Sequence, residues 1–294
     1  MQLASRFARR SNVLVSQYPI QDEVIRQVAP SIFAEEAHSS RSQRYVYIPT
    51  FKILEQLRKE DFEVFMVCQS RSRIEGKEEF TKHMMRLRHR SVTALNGGAF
   101  EIILLNSHDG TSSYQLLSGW LEFVCQNGMV SGDITHDIRV KHSGNIIDNV
   151  IDGAYTVLED APRVTEQRQE MRSIALTHQE QELFARTALD LRWDRDEETG
   201  NTKAPVTTEQ VLRPRRRADA GNSVWETLNR SQEALVRGGL PGHNANGRSL
   251  TTRAVTGIDN NVKLNRALWQ LAEGMAALKT EGVEQFQEAL KSAA

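Results

Sequence analysis

Up to about Asn145 the apolar residues of the chain fall mostly in short, β-rich runs, with one helical stripe among them. Beyond it they form stripes spaced three and four apart. The first pattern belongs to strands, whose side chains alternate between two faces, and the second to helices. In the first part, Thr50 precedes FKILEQLRKE, where Ile53, Leu54 and Leu57 share a helical face, and is placed to cap that helix. The run FEVFMVC from Phe62 predicts a strand, and SRSRIEGKEEF a polar loop with Gly76 at its tip. TKHMMRLRHRS then alternates, with Lys82, Met84, Arg86, Arg88 and Arg90 on one parity and His83, Met85, Leu87 and His89 on the other. FEIILL from Phe100 is another strand, and the segment Asn106-Ser107-His108-Asp109-Gly110 after it is dense in turn formers. The stretch from Tyr114 to Cys125 fits both periods and ends as a strand, because Asn127-Gly128 then turns the chain into Met129-Val130. A last short strand begins at Ile138.

From Asn145 onward, Ile147, Val150, Ile151, Ala154, Val157 and Leu158 form a helical stripe that Pro162 interrupts. Val164, Met171 and Ile174 mark a second helix. Thr177 and Glu180 have the spacing of a capping box that opens a third, with Phe184, Ala188 and Leu191 inward. Trp193 to Gly221 is polar, holds Pro205 and Pro214, and reads as a long loop. SVWETLNRSQEALVRG is helical, and Gly238 to Gly257 reads as a second loop. Leu264, Leu268, Leu271, Met275 and Leu278 alternate steps of four and three, as an a/d seam does, with Gly274 inside it. The seam fits a helix packed in its own domain, or self-association into a homo-oligomer.

These elements define an α+β protein, with a mostly antiparallel β-sheet plus helices in the N-terminal part and a mostly helical C-terminal half. The expected organisation is an N-terminal segment over 1–40, a mixed sheet region over 41–145, and a helical region over 146–294 packed on the sheet as one domain.

The 294 residues are enough for a full core. No stretch approaches the length of an apolar membrane span, and no apolar segment follows the arginines of MQLASRFARRSN, so no membrane partner and a cytoplasmic setting are expected. The two cysteines, Cys68 and Cys125, sit in separate apolar runs and form no CxxC, which predicts buried, reduced thiols. Net charge is −1, so only local charge can point to a partner. The chain has no P-loop, no GxGxxG after a strand, no HExxH, no GxSxG and no EF-hand loop, and no cofactor is expected.

Three features carry chemistry. Arg71, Arg73, Lys77, Lys82, Arg86, Arg88 and Arg90 outnumber three acids between Cys68 and Ser91. On a strand, the even-numbered ones form a row with a step of about 7 Å that suits a phosphate backbone, or else a solvated outer face. Arg213, Arg215, Arg216 and Arg217 place four cations within five residues of a loop, either gripping phosphate or paired with acids such as Asp219 and Glu209. His108-Asp109, with His136-Asp137 and His142, is acid–base or metal-ligand material, although Asp and Asn in turns mostly bond local backbone. No metal site is expected.

Four segments together resemble a known family: LLNSHDGTSSYQLLSGWLEFVCQNGMV (Leu104–Val130), RVKHSGNI (Arg139–Ile146), SVWETLNRSQEALVRGG (Ser223–Gly239) and GIDNNVKLNRALWQLAE (Gly257–Glu273). They look like the prophage and plasmid proteins grouped as domain of unknown function 932, over most of the chain from about Arg44 to Leu278. The motif residues are Asn106, His108, Asp109 and Gly110, followed by Cys125, Asn127 and Gly128. The resemblance implies a bacterial mobile-element setting and no established catalytic residue.

The expected function is therefore non-enzymatic nucleic-acid binding, with single-stranded DNA in recombination or replication as the substrate and the Lys82–Arg90 face and the 213–217 loop as its surface. One alternative is an interaction protein that blocks a host defence complex. A second is a hydrolase using His108 and Asp109.

Overall fold

A computed structural model of the chain describes residues 12–280 and 282, apart from 37, 39–46, 48, 73, 93–96, 124–126, 132–136, 141–144, 194, 197–199, 201, 245 and, for Asn12 and Asn127, their side chains. Two compact units emerge. The first comprises 1–123, 133–162 and 256–259, and the second 124–132, 163–255 and 260–294.

The first unit is built on an antiparallel sheet. Strands β1 (Asn12–Val15), β2 (Phe62–Gln69), β3 (His83–His89), β4 (Gly98–Asn106) and β5 (Tyr114–Glu122) lie side by side in chain order, and β7 (Ile138–Val140) pairs with β5. Sequential antiparallel neighbours are what short connections favour. The register places Arg86 opposite Ile103 and Met85 opposite Leu104, so the alternation along β3 sorts its residues onto two faces as expected. On one face pack α2 (Thr50–Lys59) and α3 (Ile146–Leu158), with α1 (Asp22–Val28) beside β2. Ile53, Leu54 and Leu57 are buried, as their spacing requires. Gly153 of α3 has no room for a side chain: a Cβ there would meet Leu116 Cδ1 at 2.7 Å and Ile138 Cγ2 at 3.0 Å. Close helix-to-sheet approach explains why this position is glycine.

Several sequence expectations shift. Thr50 begins α2 and is buried, and the N-cap is Pro49, so Thr50 does not serve as the cap. The inward stripe of α3 is Ile146, Val150, Gly153, Ala154 and Val157, rotated from the expected one. Asn127-Gly128 lies inside β6 (Asn127–Val130), a short strand of the second unit, and not at a turn. The turn expectation failed because Asn-Gly reverses a chain only when both residues occupy its centre.

The second unit is mostly helical. It holds α4 (Ala161–Ser173) from Arg163 onward, α5 (His178–Arg192), α6 (Thr208–Leu212), α7 (Val224–Gln232) and α8 (Ile258–Thr280) from Asn260 onward. The capping box at Thr177 forms in full: Thr177 Oγ1 accepts from Glu180 N while Glu180 accepts from Thr177 N. Identical boxes at Thr207–Gln210 and Ser223–Glu226 open α6 and α7. The long polar loop thus contains a helix that its own T-x-x-Q signal marks. The Gly238–Gly257 stretch likewise carries a hairpin, β8 (Pro241–His243) with β9 (Ser249–Thr251). Trp225 and Trp269 meet edge to face at 6.0 Å in the core, and the Arg168 guanidinium lies 5.2 Å from the Trp225 ring. From Asn260 onward the buried residues of α8 are Leu264, Asn265, Leu268, Trp269, Ala272, Met275 and Ala276, whereas Leu271 and Leu278 are only half-buried. That stripe serves packing inside the chain. On α5, Leu191 is exposed and Leu189 takes its place inward.

Candidate functional site

The row on β3 keeps its shared face but not its solvent. Glu101 on β4 is 0% exposed and pairs with two guanidiniums: Arg86 Nε lies 2.6 Å from its Oε2 as an ion pair, and Arg88 donates to its Oε1 at 2.8 and 2.9 Å. The Arg86 side chain is 5% exposed and the Arg88 side chain 12%. Arg88 is sandwiched with Phe65 and Phe123, its guanidinium carbon 4.0 and 5.1 Å from the ring centres. Burial lowers the pKa of Arg86, as does the charge of Arg88, while Glu101 opposes both. Lys82 is paired with Asp259 at 2.7 Å. Only Arg90, with 83% of its side chain exposed, faces water, and it sits 3.6 Å from Asp61. The expectation of a solvated basic row is therefore corrected. Alternation identifies a face, but both faces of this sheet are covered, so charge on one of them is neutralised by a partner strand rather than by solvent. Arg71 is exposed. Arg73 lies outside the described residues.

The family-motif residues form a second cluster. Asn106, Ser107 and His108 are fully buried, Asp109 nearly so, and Gly110 is exposed with a φ of +76°. Thr50 Oγ1 is the hub. It lies 3.1 Å from His108 Nε2, 3.0 Å from His83 Nε2, 3.3 Å from the Tyr114 hydroxyl and 3.1 Å from Asn106 Nδ2, which donates to it. Ser31 Oγ adds a bond to His83 Nδ1 at 2.9 Å. One hydroxyl offers one donor and two acceptor sites, so these four groups share it. Burial drives the His83 pKa well below its usual value, and the neighbouring His108 pushes the same way. Asp109 closes its own turn, its Oδ1 accepting from Thr111 N at 3.0 Å and Thr111 Oγ1 at 2.6 Å. This is the local turn chemistry expected of Asp. Among the described residues no group of three His, Cys, Asp or Glu side chains could hold a metal ion. Cys125, His136 and His142 lie outside the described residues. So does the Asn127 side chain, and Gly128 is part of β6.

The third cluster lies in the second unit. Arg213, Arg215 and Arg217 are exposed on the segment between α6 and α7, and Arg253 is exposed after β9. Among the described residues none of the four forms an ion pair. Of the acids expected to neutralise the segment, Asp219 bonds Arg216, and Glu209 pairs with none of these arginines among the described residues. Glu233, in the π-helical turn Glu233–Arg237 that continues α7, is held by Arg216 and Arg237. Arg215 donates to Gly238 O at 2.8 Å, and Arg192 donates to the carbonyls of Leu235 and Arg253. Gly238 has a φ of +62°, and a Cβ there would meet Arg253 O at 2.6 Å, so only glycine lets the two segments pass. The sequence named the 213–217 run but not Arg192 or Arg253. The Gly238-Gly239 pair was the available sign that chain segments meet there.

The hairpin β8–β9 borders a cleft of about 720 Å³ lined by Pro205, Thr207, Pro241, His243 and Leu250 among others. Fold and clusters together define an α+β protein with buried polar networks and, between α6 and α7, exposed arginines that form no ion pair among the described residues. The chain belongs to the family described as Domain of unknown function (DUF932), whose model matches residues 37–269. It is 48% identical over 273 residues to UPF0380 protein YafZ of Escherichia coli (strain K12), covering 93% of this chain and 97% of that protein. It is also 48% identical over 271 residues to UPF0380 protein YfjQ of the same strain, covering 92% and 96%. No solved structure matches the chain. No helix among the described residues is long and apolar enough to cross a membrane.

Proposed function

We propose that this protein binds nucleic acid without acting on it chemically, and does so through the arginine surface of its second unit. The observation that carries this reading is the set Arg213, Arg215, Arg217 and Arg253, exposed and free of carboxylate partners among the described residues, in a chain of net charge −1. Guanidiniums left unpaired at a surface are matched to phosphate oxygens, and their binding releases counterions. Single-stranded DNA is the favoured form. The cleft beside the hairpin has proline and leucine walls and a histidine, which suit an unstacked base. A hydrolytic role for His108 and Asp109 is less well supported, because His108 is wholly buried in the Thr50 network.

Fluorescence anisotropy with labelled single-stranded and duplex oligonucleotides over a range of salt tests the proposal. Four phosphate contacts on a single strand give a log–log salt slope of about −2.8. Replacing Arg213 and Arg217 by Glu should weaken binding and flatten that slope by about 1.4. Absence of binding at low salt defeats the reading. The alternative is then a protein that blocks a host defence complex through apolar contacts. Leu183 and Leu191, exposed on α5, favour that alternative, and its binding should be insensitive to salt.

A further inference from the structure

The loop between β2 and β3 and the turn after β4 border an open cleft of about 420 Å³ in the first unit, within the range of small-molecule sites. Arg71, Lys77 and Lys82 line it together with Asp109, Thr111 and Asp259. Its walls are pinned from behind. Gln69 Nε2 donates to Glu78 O at 2.6 Å, Thr81 Oγ1 to Ser70 O at 2.9 Å, and His108 N to Phe80 O at 3.0 Å. The ends of the loop are therefore fixed before a ligand arrives, which lowers the cost of ordering it.

The charges inside are not balanced. Lys82 and Asp259 neutralise each other at 2.7 Å. Asp109 is tied into its turn by Thr111. Burial by itself would raise the Asp109 carboxyl, but the bonds from Thr111 and Ser107 and the nearby Lys77 ammonium together hold it below the usual range, so it is ionised at neutral pH. Arg71 and Lys77 make no ion pair and no side-chain hydrogen bond among the described residues. Three cations against two carboxylates leave a surplus, and the two unengaged cations are both on the same loop.

We propose that this cleft binds a small phosphate monoester, its phosphate on Arg71 and Lys77 and the hydroxyl groups of its organic part on Asp109 and Asp259. A phosphate monoester carries about −1.5 to −2 near neutral pH, which two cations match. Each carboxylate has lone pairs beyond those its present donors use, and these accept from sugar-like hydroxyls. The site adjoins the family motif through the nearly buried Asp109 and the exposed Thr111, which gives that end of the motif a role the Thr50 network does not have. The proposal is independent of the arginine surface of the second unit.

Isothermal titration with adenosine monophosphate, inorganic phosphate and adenosine tests it on the full chain. Adenosine monophosphate and phosphate should saturate one site at millimolar concentration or below, and adenosine should not bind. The double variant Arg71→Ala, Lys77→Ala removes exposed and half-exposed side chains and should fold normally by circular dichroism. It should bind adenosine monophosphate at least about tenfold more weakly, the loss of one charge-assisted contact or more. Replacing Arg213 and Arg217 by Glu should leave this binding unchanged, which separates the two sites. A 5′-phosphorylated oligonucleotide preferred over its 5′-hydroxyl counterpart, with the preference lost in the double variant, assigns the cleft to nucleic-acid ends. Equal binding of the two assigns it to a free metabolite. No binding of adenosine monophosphate at millimolar concentration overturns the proposal. So does unchanged affinity in the double variant, or adenosine binding as tightly as its phosphate.

Discussion

Glu101→Gln removes the one carboxylate that Arg86 and Arg88 share, and the structure sets the size of the loss. Three contacts of 2.6, 2.8 and 2.9 Å converge on a carboxylate with no exposure. With Glu101 ionised, the triad carries one net positive charge. After the substitution it carries two, in a place where the Arg86 side chain is 5% exposed. Breaking a buried pair from one side typically costs about 3–5 kcal/mol, because the charge left behind has lost its water and its partner. Gln keeps the shape and one acceptor oxygen, so the lower end, about 3 kcal/mol, applies. Arg88→Met does the opposite to the charge. It leaves Arg86 and Glu101 as a neutral pair and keeps an apolar chain between Phe65 and Phe123, so its cost should be nearer 1 kcal/mol, about the worth of the lost cation–π contacts. The expected order is therefore wild type, then Arg88→Met, then Glu101→Gln. Urea denaturation followed by tryptophan fluorescence measures it. If Glu101→Gln loses less than about 1 kcal/mol, or if Arg88→Met costs as much, the triad is not held by charge pairing, and the account of the buried row is wrong.

Three further outcomes follow from the packing. Because His83 is held neutral, its folded pKa lies below the usual 6.5. The unfolded chain then takes up a proton that the folded one refuses, so stability is complete above about 6.5 and falls as pH drops below it. Melting temperatures from pH 8 to 5 should show that decline, and His83→Gln should flatten it. On α8, Leu268→Ala should cost about 2–5 kcal/mol and the half-buried Leu271→Ala clearly less. Equal losses would restore the a/d seam as the buried face. The Cys68 thiol, pushed up to about 12 by burial, should resist alkylation in the native protein and react once denatured, as read by peptide mass mapping. Rapid labelling without denaturant would show that the strand opens.

Local rules made much of the fold legible. Short β-rich runs placed β2 and β4, alternation placed β3, and the Thr177 box opened α5, because composition, alternation and capping depend on residues within a few positions of each other. The same rules could have found α6, whose Thr207–Gln210 box has the same form. Which side of a helix turns inward was less legible. The stripes of α3 and α8 are rotated from the expected ones because small and polar residues, Gly153 and Asn265, take inward positions where a neighbouring element comes close.

Local patterns were enough for the α+β class, for strands β2, β3 and β4, for the sharing of one β3 face by Met84, Arg86 and Arg88, and for membership of the family. Tertiary structure decided what those residues do. Arg86 and Arg88 turned from candidate ligand contacts into a buried triad because Glu101, on the next strand, comes opposite them only through sheet register. Thr50 became the hub of a histidine network because α2 brings it against β3, β4 and β5. Arg213, Arg215 and Arg217 stayed exposed because Asp219 and Glu233 are already engaged by Arg216 and Arg237. Charge and periodicity are properties of single segments. Whether a charge meets water, a carboxylate or a ligand depends on which other segment lies across from it, and that is settled only when the chain has folded.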